Sequence, residues 1–563
     1  MGSRRRADIA SKREPRASKA VADDLDGGAS TKRLRWVWVS GLAALLLGGC
    51  TAVGPDFLTP EVPVAEAWTL SEEAKVKPES ADYSTWWTIF NDPVLNKLVD
   101  TAYEQNLTLQ VAGLRILRAR ASLGIAVGQQ YPQVQDATGG YRRLSISDNA
   151  PNASFLDRDF DSFSVGLDTA WEIDFWGRFR RGIESADASL GATVADYDDL
   201  LVTLTAEVAT TYVLIREFEE RIAIASENVR LQERTLEIAD VRFRTGAVNE
   251  LDVTQARALL GDTQALIPFL QTLLRQAQNA LSVLLGRPPS ELREILGEPG
   301  TIPQAPAEVA MGVPAELLRR RPDIRSAELE AAAQSARIGI AKADLFPRIT
   351  LAGFVGFSTS DAGGIQSNDA SLSDIFDGDS FTGFIGPSLR WPILNYGRVT
   401  NNVRVQDARF QQLVVNYQNT VLRAYQEVED SLVAFLRAQD RTQFLTDSVA
   451  ASRRSVDLSL LQYREGLVDY IRVLDAQSFL VTQQDRQAES RGAIARNLIG
   501  TYKALGGGWE TRNPNASVPV QVQEEMQART DWGGVLPAAG LEDAPSSGEE
   551  LRATPTVFRA PDW

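Results

Sequence analysis

Residues able to do covalent, metal or acid–base chemistry are scarce in this chain, and their scarcity decides most of what it can be. Among 563 residues there is no histidine and a single cysteine, Cys50. Ser-His-Asp and Cys-His catalysis, imidazole and thiolate metal sites, and disulfides are excluded together, and neither a metal nor a cofactor is expected. Carboxylates remain, so a two-acid glycosidase is the enzyme class left open. No lysine-bearing phosphate loop and no GxGxxG after a strand occurs, so energy for any transport must come from another protein.

Cys50 ends a recognisable segment. Lys32, Arg33 and Arg35 precede an apolar run from Trp36 to Leu47, followed by Gly48 and Gly49. A basic flank, about a dozen apolar residues and small residues at the cut describe a secretory signal, short for a bilayer span. Leu47-Gly48-Gly49-Cys50 is similar to the bacterial lipobox, which implies cleavage before Cys50 and a lipid on its sulfur. Thr51 follows, not the aspartate associated with inner-membrane retention, which implies sorting to the outer membrane. Residues 1–49 are set aside as signal, with the long stretch before Lys32 consistent with an overcalled start. An uncleaved anchor is the alternative.

The net charge is −16, and the signal holds ten basic and five acidic residues, so its removal leaves −21. Such acidity excludes a nucleic-acid partner, which needs a basic face. It suits a solvated surface or a lumen that favours cations.

The elements that position these charges come in a repeat. Ala121-Ser-Leu-Gly-Ile-Ala126 with Pro132 matches Ala336-Arg-Ile-Gly-Ile-Ala341 with Pro347 at an offset of 215. Trp171–Arg178 matches Trp391–Arg398, and Phe243–Val248 matches Tyr463–Val468, both at 220. Each half reads as a helix, two short strands, a very long helix, a Gly-marked break and another helix. Proline is absent from 152 to 267 and from 393 to 513, as long helices require.

The first long helix, expected over 182–243, carries a heptad seam from Leu201, Leu204 and Val208 down to Gln232, Leu236, Ala239 and Phe243. Val202, Ala206, Ala209 and Val213 form a second stripe. Two apolar flanks place a helix in a ring of helices rather than a dimer. The seam recurs as Val421, Ala424, Val428, Ser431, Phe435 and Ala438. In the strands, Phe163, Val165, Leu167, Thr169 and Trp171 alternate with polar and acidic residues, and 382–394 alternate similarly. That pattern fits lipid outside and water inside, or a half-buried soluble sheet. Two further strands follow Pro132 and Pro347. Four strands cannot close a barrel, since about eight is the minimum. Several chains must therefore contribute, and three would give twelve strands.

Cys50-Thr-Ala-Val-Gly-Pro-Asp-Phe57, Glu316-Leu-Leu-Arg-Arg-Arg-Pro-Asp-Ile-Arg325, Phe346-Pro347, Tyr463-Arg-Glu-Gly466, Leu474-Asp-Ala-Gln477 and Tyr502-Lys-Ala-Leu-Gly-Gly-Gly-Trp509 resemble the TolC-like outer-membrane factors, specifically their NodT/OprM lipoprotein branch. The resemblance covers about 50–512. It implies a mainly α chain with a membrane β-barrel part: a long α-helical coiled-coil periplasmic tunnel below a twelve-stranded barrel in a homotrimer. The layout is then lipid anchor and belt segment 50–92, first repeat 93–286, inter-repeat belt 287–320 and second repeat 321–512. The chain end is expected to join the belt, while the composition of 513–563, rich in Pro, Gly, Ala, Ser and acid, reads as unstructured.

By the same resemblance the chain is the exit duct of a tripartite efflux system for small amphiphilic or toxic compounds. Its implied partners are a periplasmic adaptor, an inner-membrane pump of the resistance-nodulation-division class, and outer-membrane lipid. Type I protein secretion, metal efflux, or a structural envelope coiled coil are the alternatives. A glycosidase is disfavoured because the acids lie along rods and strand faces. The gate is implied at the Gly-marked breaks. Asp475 matches the acidic residue of the aperture ring, Ile471 a constricting apolar position, and Asp252 a polar residue near the closed gate. Arg472 stands where the family's founding member has an aspartate, which admits an Arg472–Asp252 clasp in place of a second acidic ring. Arg319, Arg320 and Arg321 read as a solvated helix start without a ligand.

Overall fold

The computed structural model describes residues 52–536 apart from 64, 74, 78, 80–81, 148, 150–156, 313, 315–319, 363–370 and 513–517. The signal, Cys50 and Arg319 lie outside the described residues. The main elements, in chain order, are β1 (Val76–Lys77), α1 (Pro93–Gln105), α2 (Leu107–Gly128), β2 (Val134–Ser145), β3 (Asp159–Glu172), α3 (Arg178–Arg244), α4 (Glu250–Leu284), β4 (Val309–Ala310), α5 (Pro322–Ala343), β5 (Arg348–Ser360), β6 (Phe381–Arg390), α6 (Arg398–Arg464), α7 (Tyr470–Ala504) and α8 (Val520–Arg529).

The repeat holds residue for residue in the helices. α2 and α5 are each 22 residues long, α3 and α6 each 67, and α4 and α7 each 35. At about 1.5 Å per residue the two longest reach about 100 Å. No helix among the described residues is long and apolar enough to cross a membrane.

β2, β3, β5 and β6 form one antiparallel sheet in that order, leaving β2 and β6 as edges. Register puts Val165 opposite Phe357, Leu167 opposite Val355 and Trp171 opposite Leu351, so the apolar residues of β3 and β5 share one face. Phe381, opposite Phe357, and Ile385 of β6 join them. β6 ends at Arg390 rather than at 394, because its partner β5 begins at Arg348, the residue that pairs with Arg390. A second, two-stranded parallel sheet, Val76–Lys77 with Val309–Ala310, ties the two belt segments together.

The main core lies where the belts meet the helices. Trp86 stacks on Tyr502 with centroids 5.6 Å apart and planes 9° from parallel. A side chain at Gly507 would meet the Tyr83 carbonyl at 2.8 Å, which explains the glycine run before Trp509.

Three expectations need correction. The seam of α3 stays buried as Ala225, Asn228, Gln232, Thr235 and Ala239, whereas Val229 and Leu236 are only half-buried and Phe243 is exposed. The reason is a polar partner: Asn228 donates to Gln484 at 2.8 Å, Gln477 donates to Thr235 at 2.8 Å, and Arg221 grips Asp485 at 2.8 and 3.0 Å, all between α3 and α7. Arg321 is not solvated. It is buried, bonding Asp323, Glu427 and the Ala504 carbonyl at 2.8 Å each, while Arg320 lies 4.3 Å over the Tyr83 ring. Finally, residues 518–536 are structured, with Val518, Met526 and Leu536 buried against Leu117 of α2. Val522 and Met526 share one face of α8 and Val518 stands four residues before them, a signal that bulk composition hides.

Candidate gate at the hairpin tips

Each long helix turns back on its partner through five residues, 245–249 and 465–469. Gly246 and Gly466 take φ of +74° and +75°, in the left-handed region that glycine adopts without strain. In the first turn Gly246 N–H donates to Phe243 O and Ala247 N–H to Arg242 O; in the second Gly466 donates to Tyr463 O and Leu467 to Gln462 O. These paired bonds cap the last free carbonyls of α3 and α6 and reverse the chain sharply. Asn249 then caps α4 by accepting from Leu251 N–H at 2.9 Å.

A small separate core fills the tips. It joins Ala256 of α4 to Val456, Leu460 and Tyr463 of α6 and to Tyr470, Val473 and Leu480 of α7. Tyr463 and Tyr470 meet edge to face, centroids 5.4 Å apart. The Tyr463 hydroxyl donates to Asp252 Oδ2 at 3.0 Å, linking α6 to α4. Arg242 of α3 places its guanidinium 4.7 Å over the Tyr463 ring and donates to the carbonyls of Tyr463 and Arg464. Burial, reinforced by the Asp252 hydrogen bond, pushes the Tyr463 hydroxyl well above its ordinary range. Burial and the Asp252 charge push Tyr470 up to about 12. Both phenols are neutral throughout the physiological range, and that of Tyr463 serves as the donor.

Ile471, Arg472 and Asp475 stand on the opposite side of the α7 start, all exposed, while Tyr470, Val473 and Gln477 face inward. Ile471 and Asp475 are four residues apart and share one helical face. Asp252 is half-buried, its carboxylate taken by Tyr463, and no ion pair joins it to Arg472 within the described residues. The structure thus brings Asp252 to the second-repeat hairpin and leaves Ile471, Arg472 and Asp475 together on the exposed side of the α7 start. Tyr463 and Arg242, which join the two hairpins, were not singled out from the sequence. Tyr463 was visible only as part of a Tyr-Arg-Glu-Gly marker, because sequence spacing does not reveal a partner 211 residues away.

The family model for outer membrane efflux proteins matches residues 98–287 and 313–507. Nodulation protein T of Rhizobium leguminosarum bv. trifolii is 31% identical over 474 residues, covering 83% of this chain and 96% of that protein. Cation efflux system protein CusC of Escherichia coli O6:H1 is 31% identical over 484 residues, covering 83% and 97%. Among solved structures, the outer-membrane channel OprN is 33% identical and superposes with a TM-score of 0.75 over 81% of this chain and 99% of that one. With its duplicated helical rods, its four-stranded sheet and its capped tips, this chain belongs to the outer membrane efflux protein family and is an outer-membrane channel of the TolC-like NodT/OprM type.

Proposed function

We propose that three copies of this chain close a twelve-stranded barrel above a twelve-helix tunnel, and that the duct passes small amphiphilic compounds delivered by a periplasmic adaptor and an inner-membrane pump. The observation that carries this reading is the sheet with two open edges, β2 and β6, on the same chain as two 67-residue helices. Four strands do not close, and unpaired edges are not tolerated in a bilayer, so the edges of neighbouring copies must pair. A lipid on Cys50 anchors the chain end at the same membrane.

The closed state is held at the tips. Tyr463 and Arg242 lock the second hairpin to the first, while Ile471 and Asp475 from three copies converge on the axis. Convergent carboxylates repel one another and attract cations, so the closed ring rests on few weak links that an adaptor can replace. Arg472, on the same exposed turn, is placed to pair with a neighbouring copy. Planar-bilayer conductance of the purified oligomer, with its mass measured beside it, tests the reading. Small, cation-selective, mostly closed channels from a trimer are expected. A soluble, non-conducting oligomer overturns it.

A further inference from the structure

Alternation along the sheet assigns its faces. The side bearing Val165, Leu167 and Phe357 meets lipid, and the other side meets water. β5 and β6 break the polar pattern of the water side in one place. Phe354 and Phe384 stand there as direct cross-strand partners, and Phe384 is 63% exposed. The same register row continues across the sheet: Phe354 lies opposite Asp168, and Asp168 opposite Asp136. Four neighbouring strands therefore carry Asp, Asp, Phe, Phe side by side at one level, all facing water.

The surroundings of this row are cut back. A Cβ on Gly166 would stand 2.5 Å from the Phe354 ring, so the ring lies across bare backbone of β3. The rows on either side hold Gly, Ala and Thr at β3, β5 and β6, so no bulky side chain of those strands flanks the rings. Thr138 donates to Asp168 at 2.8 Å and holds that carboxylate in place. The nearest basic residues on this face, Arg142, Arg348 and Arg390, are six residues along their strands, about 20 Å away. Among the described residues no fixed cation on this face of the sheet competes for the carboxylates.

We propose that this row is a binding collar for lipophilic organic cations, the cargo class the barrel takes up on its way out. The inference rests on the barrel reading above and names its substrate chemistry. The ring faces supply apolar area and attract positive charge, and the adjacent carboxylates supply the counter-charge. A neutral amphiphile uses half of the collar, and an organic anion is repelled.

The test uses the full lipidated oligomer in phosphatidylcholine nanodiscs, with tetraphenylphosphonium as probe and a selective electrode reading its free concentration. Saturable uptake beyond protein-free discs is expected, with none for the isosteric anion tetraphenylborate. F354L/F384L and D136N/D168N are each expected to weaken uptake about ten-fold, whereas F381L on the lipid face leaves it unchanged. The Asp-to-Asn pair keeps side-chain size, so it stands as the test should the Phe variants fail to assemble. Uptake equal to empty discs, equal for both ions, or untouched by D136N/D168N overturns the collar while leaving the barrel intact. An oligomer that does not insert in lipid overturns the barrel and the collar with it.

Discussion

The hydroxyl of Tyr463, at the end of one 67-residue helix, donates to the carboxylate of Asp252, in the first turn of the helix that follows the other. This bond, beside those of Arg242 to the Tyr463 and Arg464 carbonyls, crosses between the two halves of a duplicated chain at the hairpin tips. Tyr463→Phe removes the donor and keeps the ring under Arg242. A hydrogen bond to a carboxylate is worth about 1.5–3 kcal/mol when buried, and less at this half-buried site. Single-channel conductance or open probability is expected to rise with assembly intact; an unchanged record removes Tyr463 from the gate.

Asp475→Ala together with Asp252→Ala is expected to raise conductance further, because both the axial carboxylates and the inter-hairpin link are gone. If Asp475→Ala alone leaves cation selectivity and gating unchanged, the exposed face of α7 is ordinary solvated surface. Arg472→Ala separates the two arrangements of the tip. It opens the channel if Arg472 clasps a neighbouring copy, and deepens closure to anions if it only dilutes an acidic ring.

Asp198 is fully buried on α3, and Arg512 reaches it with bonds of 2.8 and 2.9 Å. Removing one partner of such a pair strands the other without solvent, at a cost of about 3–5 kcal/mol. Arg512→Ala is expected to lower the melting midpoint sharply and to cut oligomer yield. A midpoint within error of the parent shows that the remaining polar neighbours of Asp198 suffice.

Asp199, one residue on, has its carboxyl pushed up to about 6 by burial, with Asp323 adding to the shift against Arg321 and Lys503. The folded chain keeps this proton up to about pH 6, whereas the unfolded chain releases it near 3.8. Stability therefore falls as pH rises through that window, and the penalty is complete above it. Asp199→Asn is expected to stabilise at neutral pH by about 2 kcal/mol, allowing for partial solvent screening, and to match the parent at the acid end. Melting midpoints across pH 4–8 decide; a pH-independent difference rejects titration as the cause.

Cys50→Ser is expected to abolish incorporation of labelled lipid, and continued incorporation sinks the lipobox reading. The outcome separates anchor from barrel, since the sheet carries its own lipid-facing surface.

The architecture was legible because duplication leaves landmarks in fixed register. Offsets of 215 and 220 read from Pro132/Pro347 and Trp171/Trp391 reappear as helices of equal length. The upper seam of α3 was equally plain, since Leu201, Leu204 and Val208 pack on apolar neighbours. The lower seam was not, because Asn228 and Thr235 are buried there against Gln484 and Gln477 of α7, and no spacing rule finds a polar partner about 250 residues on. The same limit hid the tip. Asp252, Ile471, Arg472 and Asp475 were placed by resemblance, but the hydroxyl that engages Asp252 and the guanidinium above it appear only in three dimensions. Bulk composition misled at α8, where a few residues at the right spacing outweigh the average around them, and Arg321, read as part of a solvated charge run, is buried among carboxylates and a carbonyl.

The open edges of the sheet have a genetic consequence. A protomer with β2 and β6 unpaired has no stable place in lipid, so insertion and closure of the ring must occur together. A subunit whose edge strand is broken, for instance by prolines placed along β2 or β6, blocks every ring that it enters. Co-expressed with the parent, such an allele is dominant, and in the trimer proposed above intact channels fall as the cube of the parental share.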